Sequence, residues 1–250
     1  MYLRLVFAYR EIAPSPELAP YVKCFWRLRT ESAAPAVERI LPDASFELIF
    51  QLGGSFSTQP RAMLMGELQR PVIVQPPANA DIFGVRFHPG GAAPFLRAPA
   101  EELCDALLPM REAFDVEQRV LDARSTRDRV AVLESMLRHR FRSPRGEAVA
   151  RFASQLIARH HGALRIRDVA RIAGATERSL ERAFALNIGL SAKVFSRLTR
   201  FHSFLRGESD GYFDDSHRIR DCQDFAGTTP GALLRERNAM NAAFVGNVQD

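Results

Sequence analysis

The sequence predicts an α+β protein: a β-rich N-terminal half of sandwich or barrel type with appended helices, followed by an all-helical C-terminal half. Three observations predict it. Before residue 90, apolar residues alternate in short runs broken by Pro and Gly. Beyond residue 100 they recur at helical spacing. Arg142-Ser143-Pro144-Arg145-Gly146 interrupts that pattern, which restarts after it. The expected division is therefore 1–144, with helices from about residue 92, and 145–250.

In the first half, Tyr21 to Thr30 reads as a strand with Val22, Cys24, Trp26 and Leu28 on one face. Phe46 to Leu52 is a compact apolar run closed by Gly53-Gly54. Pro71 to Gln75 and Asp81 to His88 are two more strands, separated by Pro76-Pro77. In the last of these, Phe83, Val85 and Phe87 share one face, and Ile82, Gly84, Arg86 and His88 the other. Arg86 and His88 stand just before Pro89-Gly90-Gly91, so they are candidates to line a pocket for an anionic small-molecule effector; the plainer reading is a strand with one wet face. Ala100 to Leu108 and Arg127 to Phe141 have helical spacing, the second with Val130, Leu133, Leu137 and Phe141 on one stripe.

In the second half, Glu147 to His161 is expected to be a packing helix with Val149, Phe152, Leu156 and Ile157 inward. Ile166 to Ile172 follows, its buried face made by Ile166, Val169, Ala170 and Ile172. Gly174 suits a turn that needs positive φ, and Thr176 can cap the next helix, with Glu177 at its positive end. Leu180, Phe184 and Ile188 then bury together at helical spacing. Residues 164–188 thus form one helix-turn-helix unit, which lets one helix cross a DNA backbone while Thr176–Asn187 enters the major groove. The opposite face of that helix carries Arg178, Glu181 and Arg182. Arginine can bridge guanine O6 and N7, and glutamate can accept from cytosine N4, so these three are the base-contact candidates. Arg165, Arg167 and Ser179 at the motif's edges are candidates for phosphate contact.

Charge agrees with this division. The net charge of +5 conceals a block at 151–206 with 11 basic and 3 acidic residues, and a stretch at 207–250 with 4 basic and 8 acidic ones. The first attracts phosphates; the second repels them. Met1 to Ala8 is too short for a signal peptide before Arg10 and Glu11, and no apolar run reaches the roughly 18 residues of a membrane span. Cys24, Cys104 and Cys222 form no metal spacing, and a reducing cytoplasm suits them. His160-His161 point in different directions on a helix, and Asp214-Asp215-Ser216-His217 holds catalytic residue types without a nucleophile elbow or phosphate loop. Neither catalysis, a metal nor a cofactor is expected.

Residues 150–234 resemble the DNA-binding domain of AraC/XylS-type regulators, in which a long helix links two helix-turn-helices. Leu190-Ser191-Ala192 to Leu205 resembles that linker, and Gly211-Tyr212-Phe213-Asp214-Asp215-Ser216-His217-Arg218-Ile219-Arg220-Asp221 with Phe225-Ala226-Gly227-Thr228-Thr229-Pro230 resembles the family's closing signature. Pro42-Asp43 before Phe46–Phe50, and Gly84-Val85-Arg86-Phe87-His88-Pro89-Gly90-Gly91, resemble the N-terminal domain of a group of these proteins. The resemblance implies a cytoplasmic, sequence-specific transcription regulator acting on double-stranded DNA. Its N-terminal half would sense a small molecule or mediate pairing, and RNA polymerase is a candidate partner. One intact unit offers few contacts, so a homodimer is expected.

The departures matter as much. Only Arg206-Gly207-Glu208-Ser209-Asp210 separate Leu205 from Gly211, roughly nine residues fewer than the second unit's bracing helix requires. Arg218 and Cys222 stand where the family buries apolar or aromatic groups, and Asp215 where it tends to turn an amide to the groove. The unit at 211–234 is thus degenerate, with Arg220 a weak DNA candidate. The alternative is a member that lacks specific DNA binding and acts through protein–protein contact. A third reading, an enzyme or ligand-binding module whose helices only pack, has no convergent motif behind it.

Overall fold

The computed structural model describes residues 7–30, 38–54, 60–75, 77, 79–110, 116–208, 212 and 214–236. Pro76, and Gly211 and Phe213 of the closing signature, lie outside the described residues, as does 237–250.

The architecture is α+β. β1 (Phe7–Ile12), β2 (Val22–Thr30), β4 (Glu47–Gly53), β5 (Ala62–Met65), β7 (Asp81–Phe87) and β8 (Leu107–Pro109) form one antiparallel sheet in the order β1-β2-β7-β4-β5-β8. β3 (Glu38–Ile40) pairs with β6 (Val72–Val74) as a separate ribbon. The sandwich or barrel expectation is corrected here, because the layer facing the sheet is helical. Phe25, Phe50, Phe83, Val85 and Phe87 share a core with Phe95 and with residues of α1 (Glu117–Asp122) and α2 (Thr126–Arg140), namely Val120, Leu133 and Leu137. Alternation alone fixes which face of each strand is buried; it does not say what covers that face.

A second correction concerns Ala100 to Leu108. Its apolar spacing suits a helix, but only a 3₁₀ turn forms at Ala100–Leu103 before the chain becomes β8. Asp105 adopts φ +55°, and its N–H donates to the Glu67 carbonyl at 2.8 Å, while Gly66 N–H donates to Ala106 O at 2.8 Å. This pairing to the end of β5 replaces helical hydrogen bonds. The short strands β1, β3 and β5 and helix α1 had no counterpart in the sequence reading.

The helical half follows the expected order: α3 (Glu147–Arg159), α4 (Ile166–Ile172), α5 (Glu177–Asn187), α6 (Ala192–Arg206) and α7 (Asp215–Ala226), then a helical segment at 230–236. The Thr176 and Ser191 side chains cap α5 and α6 by accepting from Ser179 N and Val194 N. Ala150, Ala153, Ile157, Val169, Leu180, Phe184, Phe201 and Phe225 belong to one core. Two inward assignments fail: Phe152 is 46% exposed and Ile172 45%. The buried face of α3 is instead made of small residues, Ala150, Ala153 and Ser154, with Ile157, which allows close approach of the neighbouring helices. Phe141, placed on the α2 stripe, lies just past that helix and is also largely exposed.

Sheet and helices meet at named points. Cys104 Sγ donates to Gly189 O at 3.3 Å, His202 Nε2 lies 2.6 Å from Pro42 O, and Arg39 donates to Ala226 O at 2.8 Å. Leu41 and Ala44 are part of the helical core. Among the described residues no helix is long and apolar enough to cross a membrane.

Candidate nucleic-acid interface

The turn between α4 and α5 is built by short-range effects. α4 ends at Ile172, Gly174 turns the chain at φ +65° with open space where a Cβ would stand, and Thr176 starts α5 two residues later. Leu180, Ala183, Phe184 and Asn187 face the core, so the helical period turns Arg178, Ser179 and Arg182 to solvent. Arg165 and Arg167, at the start of α4, are exposed too. Among the described residues none of these four arginines has an ion-pair partner, whereas Arg171 lies 3.7 Å from Asp168. Five of the six sequence-derived DNA candidates are therefore free polar groups on the motif's surface.

Glu181 differs. It is half-buried, and its Oε2 accepts from Ala192 N at 3.3 Å, so its charge sits at the positive end of α6. That contact makes it part of the α5–α6 joint as well as a base-contact candidate.

One residue that the sequence reading had used only as a boundary marker joins the set. Arg145 lies beside α5, held there because Asn187 Nδ2 donates both to Arg145 O at 3.1 Å and to Ala183 O at 2.8 Å. A cleft of about 220 Å³ separates the start of α3 from α5, and Arg145, Arg178 and Arg182 all line it. Thr176 and Ser179 add hydroxyls, and Val149 and Leu186 an apolar wall. A signal for Arg145 was present in the sequence, since it stands six residues before a basic block, but its spatial partner is 42 residues away.

Arg86 and His88 are not a pair of free cations. The Arg86 guanidinium is hydrogen-bonded to the buried Glu47 carboxylate across the β4–β7 pairing. Burial pushes the Glu47 pKa up, and Arg86 opposes that rise. Burial, with Lys23 nearby, lowers His88 and favours its neutral ring. The expected anionic-effector pocket would thus begin with its principal cation already neutralised.

α7 packs directly against α6. Eight residues connect Arg206 to Asp215, and among the described ones none is helical between the Gly207 cap and α7. α7 lies against α6 through Arg197, which donates to the buried Asp221 at 2.9 Å and sits 5.2 Å over the Phe225 ring. Cys222 is fully buried, as its apolar-type position requires. Arg218 is accommodated by pairing with Asp215 and by lying 5.5 Å over the Phe204 ring. Arg220 is exposed. Asp214 caps α7 by accepting from His217 N at 2.9 Å, which gives this Asp-Asp-Ser-His run a structural task. His160 is exposed at the end of α3, and His161 contacts Ser203 Oγ at 3.0 Å. Among the described residues no three metal-ligating side chains converge.

Residues 10–109 match the model of a domain of unknown function (DUF6597). The matched segment runs from within β1 to the end of β8, so it coincides with the sheet. No curated protein and no solved structure matches the chain.

Proposed function

We propose that the protein is a sequence-specific DNA-binding transcription regulator that reads the major groove with α5. The observation that carries this reading is the presence of two unpaired, exposed arginines, Arg178 and Arg182, one turn apart on the second helix of a helix-turn-helix whose turn and cap are both formed. Arg165 and Arg167 supply phosphate contacts that set register. The sheet half serves sensing or pairing, and two copies acting together would supply the affinity that one unit lacks.

Selection from a pool of random duplexes tests this. An enriched motif is expected, with Arg182→Ala losing preference at one position by the 1–3 kcal/mol, about 5- to 150-fold, typical of a bidentate contact. Arg165→Ala should weaken all sequences alike. Absence of any enriched motif would overturn the reading. Attention would then pass to protein–protein contact, which the acidic balance of 207–250 and the unbraced second unit favour.

A further inference from the structure

We infer that the cleft between the start of α3 and α5 is a binding site for a phosphate group. The inference rests on the helix-turn-helix reading only for the role of that ligand, not for its binding. Four features converge on the cleft. Arg145, Arg178 and Arg182 line it, and none has an ion-pair partner among the described residues. Among the described residues no carboxylate lines it. Gly146 and Thr176, which line it as well, are the N-caps of α3 and α5, helices of 13 and 11 residues, so two positive helix ends open toward the same space. Thr176 and Ser179 add hydroxyl donors.

The site is built rather than incidental. Asn187, 1% exposed, fixes the Arg145 backbone to α5 with its side-chain amide. Gly146 holds φ +79°, and a Cβ there would lie 3.1 Å from that of Ala183, so the linker is pressed onto the recognition helix. Asn187 is thus a positioning residue. Arginine forks match the oxygens of a dianionic phosphate, which a chloride or an uncharged ligand cannot use in the same way.

Two sources could bring that phosphate: the backbone of bound DNA, or a free phosphate or phosphomonoester. In the second case the ligand occupies Arg178 and Arg182, so a small anion would exclude DNA by direct competition.

The experiment uses the full chain and inorganic phosphate at constant ionic strength, with chloride as the replaced anion. Calorimetric titration is run on wild type, Arg145→Ala, Asn187→Ala and Arg124→Ala, and anisotropy of a labelled duplex is followed in parallel. Saturable phosphate binding is expected, weakened about tenfold in Arg145→Ala and unchanged in Arg124→Ala, an exposed arginine of the sheet half, as loss of one charge-assisted contact implies. If phosphate also displaces DNA, the site serves a free ligand in competition with DNA. If phosphate alone does not bind, but Arg145→Ala lowers affinity for every duplex and reduces the salt slope by about one, the site serves the DNA backbone. Phosphate binding without any DNA binding would refute the regulator reading and leave this site standing. Neither phosphate binding nor a DNA effect of Arg145→Ala, with circular dichroism showing each variant folded, overturns the proposal.

Discussion

Glu67 is fully buried, and neither of its carboxylate oxygens finds a hydrogen-bond partner among the described residues. Burial, reinforced by Asp43 and Asp105, raises its pKa well above the usual carboxylate range. The folded chain therefore holds a proton that the unfolded chain releases near pH 4.3 or so. Stability from this group is full below that value and falls as pH rises, by at most about 1.4 kcal/mol per unit, until the folded pKa is passed. Glu67→Gln should flatten the decline of the urea midpoint between pH 5 and 9; parallel curves for the two proteins would contradict this. Glycines give a second contrast. Gly174→Ala meets open space and should cost about 1 kcal/mol for its left-handed backbone alone. Gly189→Ala, at φ +94° and with a Cβ 2.7 Å from Cys104 Sγ, should cost about 2–3 kcal/mol by forcing the sheet half from α5. Equal thermal shifts for the two variants would show that this joint is slack.

At the scale of elements, helices α3 to α6 were legible because local chemistry marks their ends. Thr176 and Ser191 are caps whose partners lie within three residues, Gly146 starts α3 in the left-handed region, and the apolar period between them is regular. Thr176→Ala should accordingly cost about 1 kcal/mol in a denaturant titration. What sequence alone did not reveal depends on partners far along the chain. Arg86 looks like a free cation until β4 brings Glu47 beside it, and Arg145 looks like a linker residue until Asn187 binds its carbonyl. Ala100–Leu108 has helical spacing, yet tertiary pairing with β5 prevails over it. Phe152 and Ile172 satisfy the apolar pattern and still face solvent: small side chains make the closer interface of α3, and Val169 and Ala170 make that of α4. The attachment of α7 rests on the Arg197–Asp221 pair. Asp221→Ala should cost about 2–3 kcal/mol and loosen α7 while leaving α5 intact, as amide exchange resolved by residue would report.

For the molecule as a whole, the contacts of Cys104 with Gly189, His202 with Pro42 and Arg39 with Ala226 tie the sheet half to the far end of α5, to α6 and to α7. Trp26 in the sheet and the far-ultraviolet signal of the helices should therefore report one coincident unfolding transition. The charge layout completes the picture, with exposed arginines on α4 and α5 that have no ion-pair partner among the described residues and an acidic balance beyond residue 206. Fluorescence anisotropy on duplexes from the gene's own upstream region, at several salt concentrations and beside Arg182→Ala and a random duplex, tests recognition directly. Salt-sensitive binding that prefers the upstream duplex, with the preference lost in Arg182→Ala, is the predicted result. Equal, weak binding to every duplex by both proteins would contradict it.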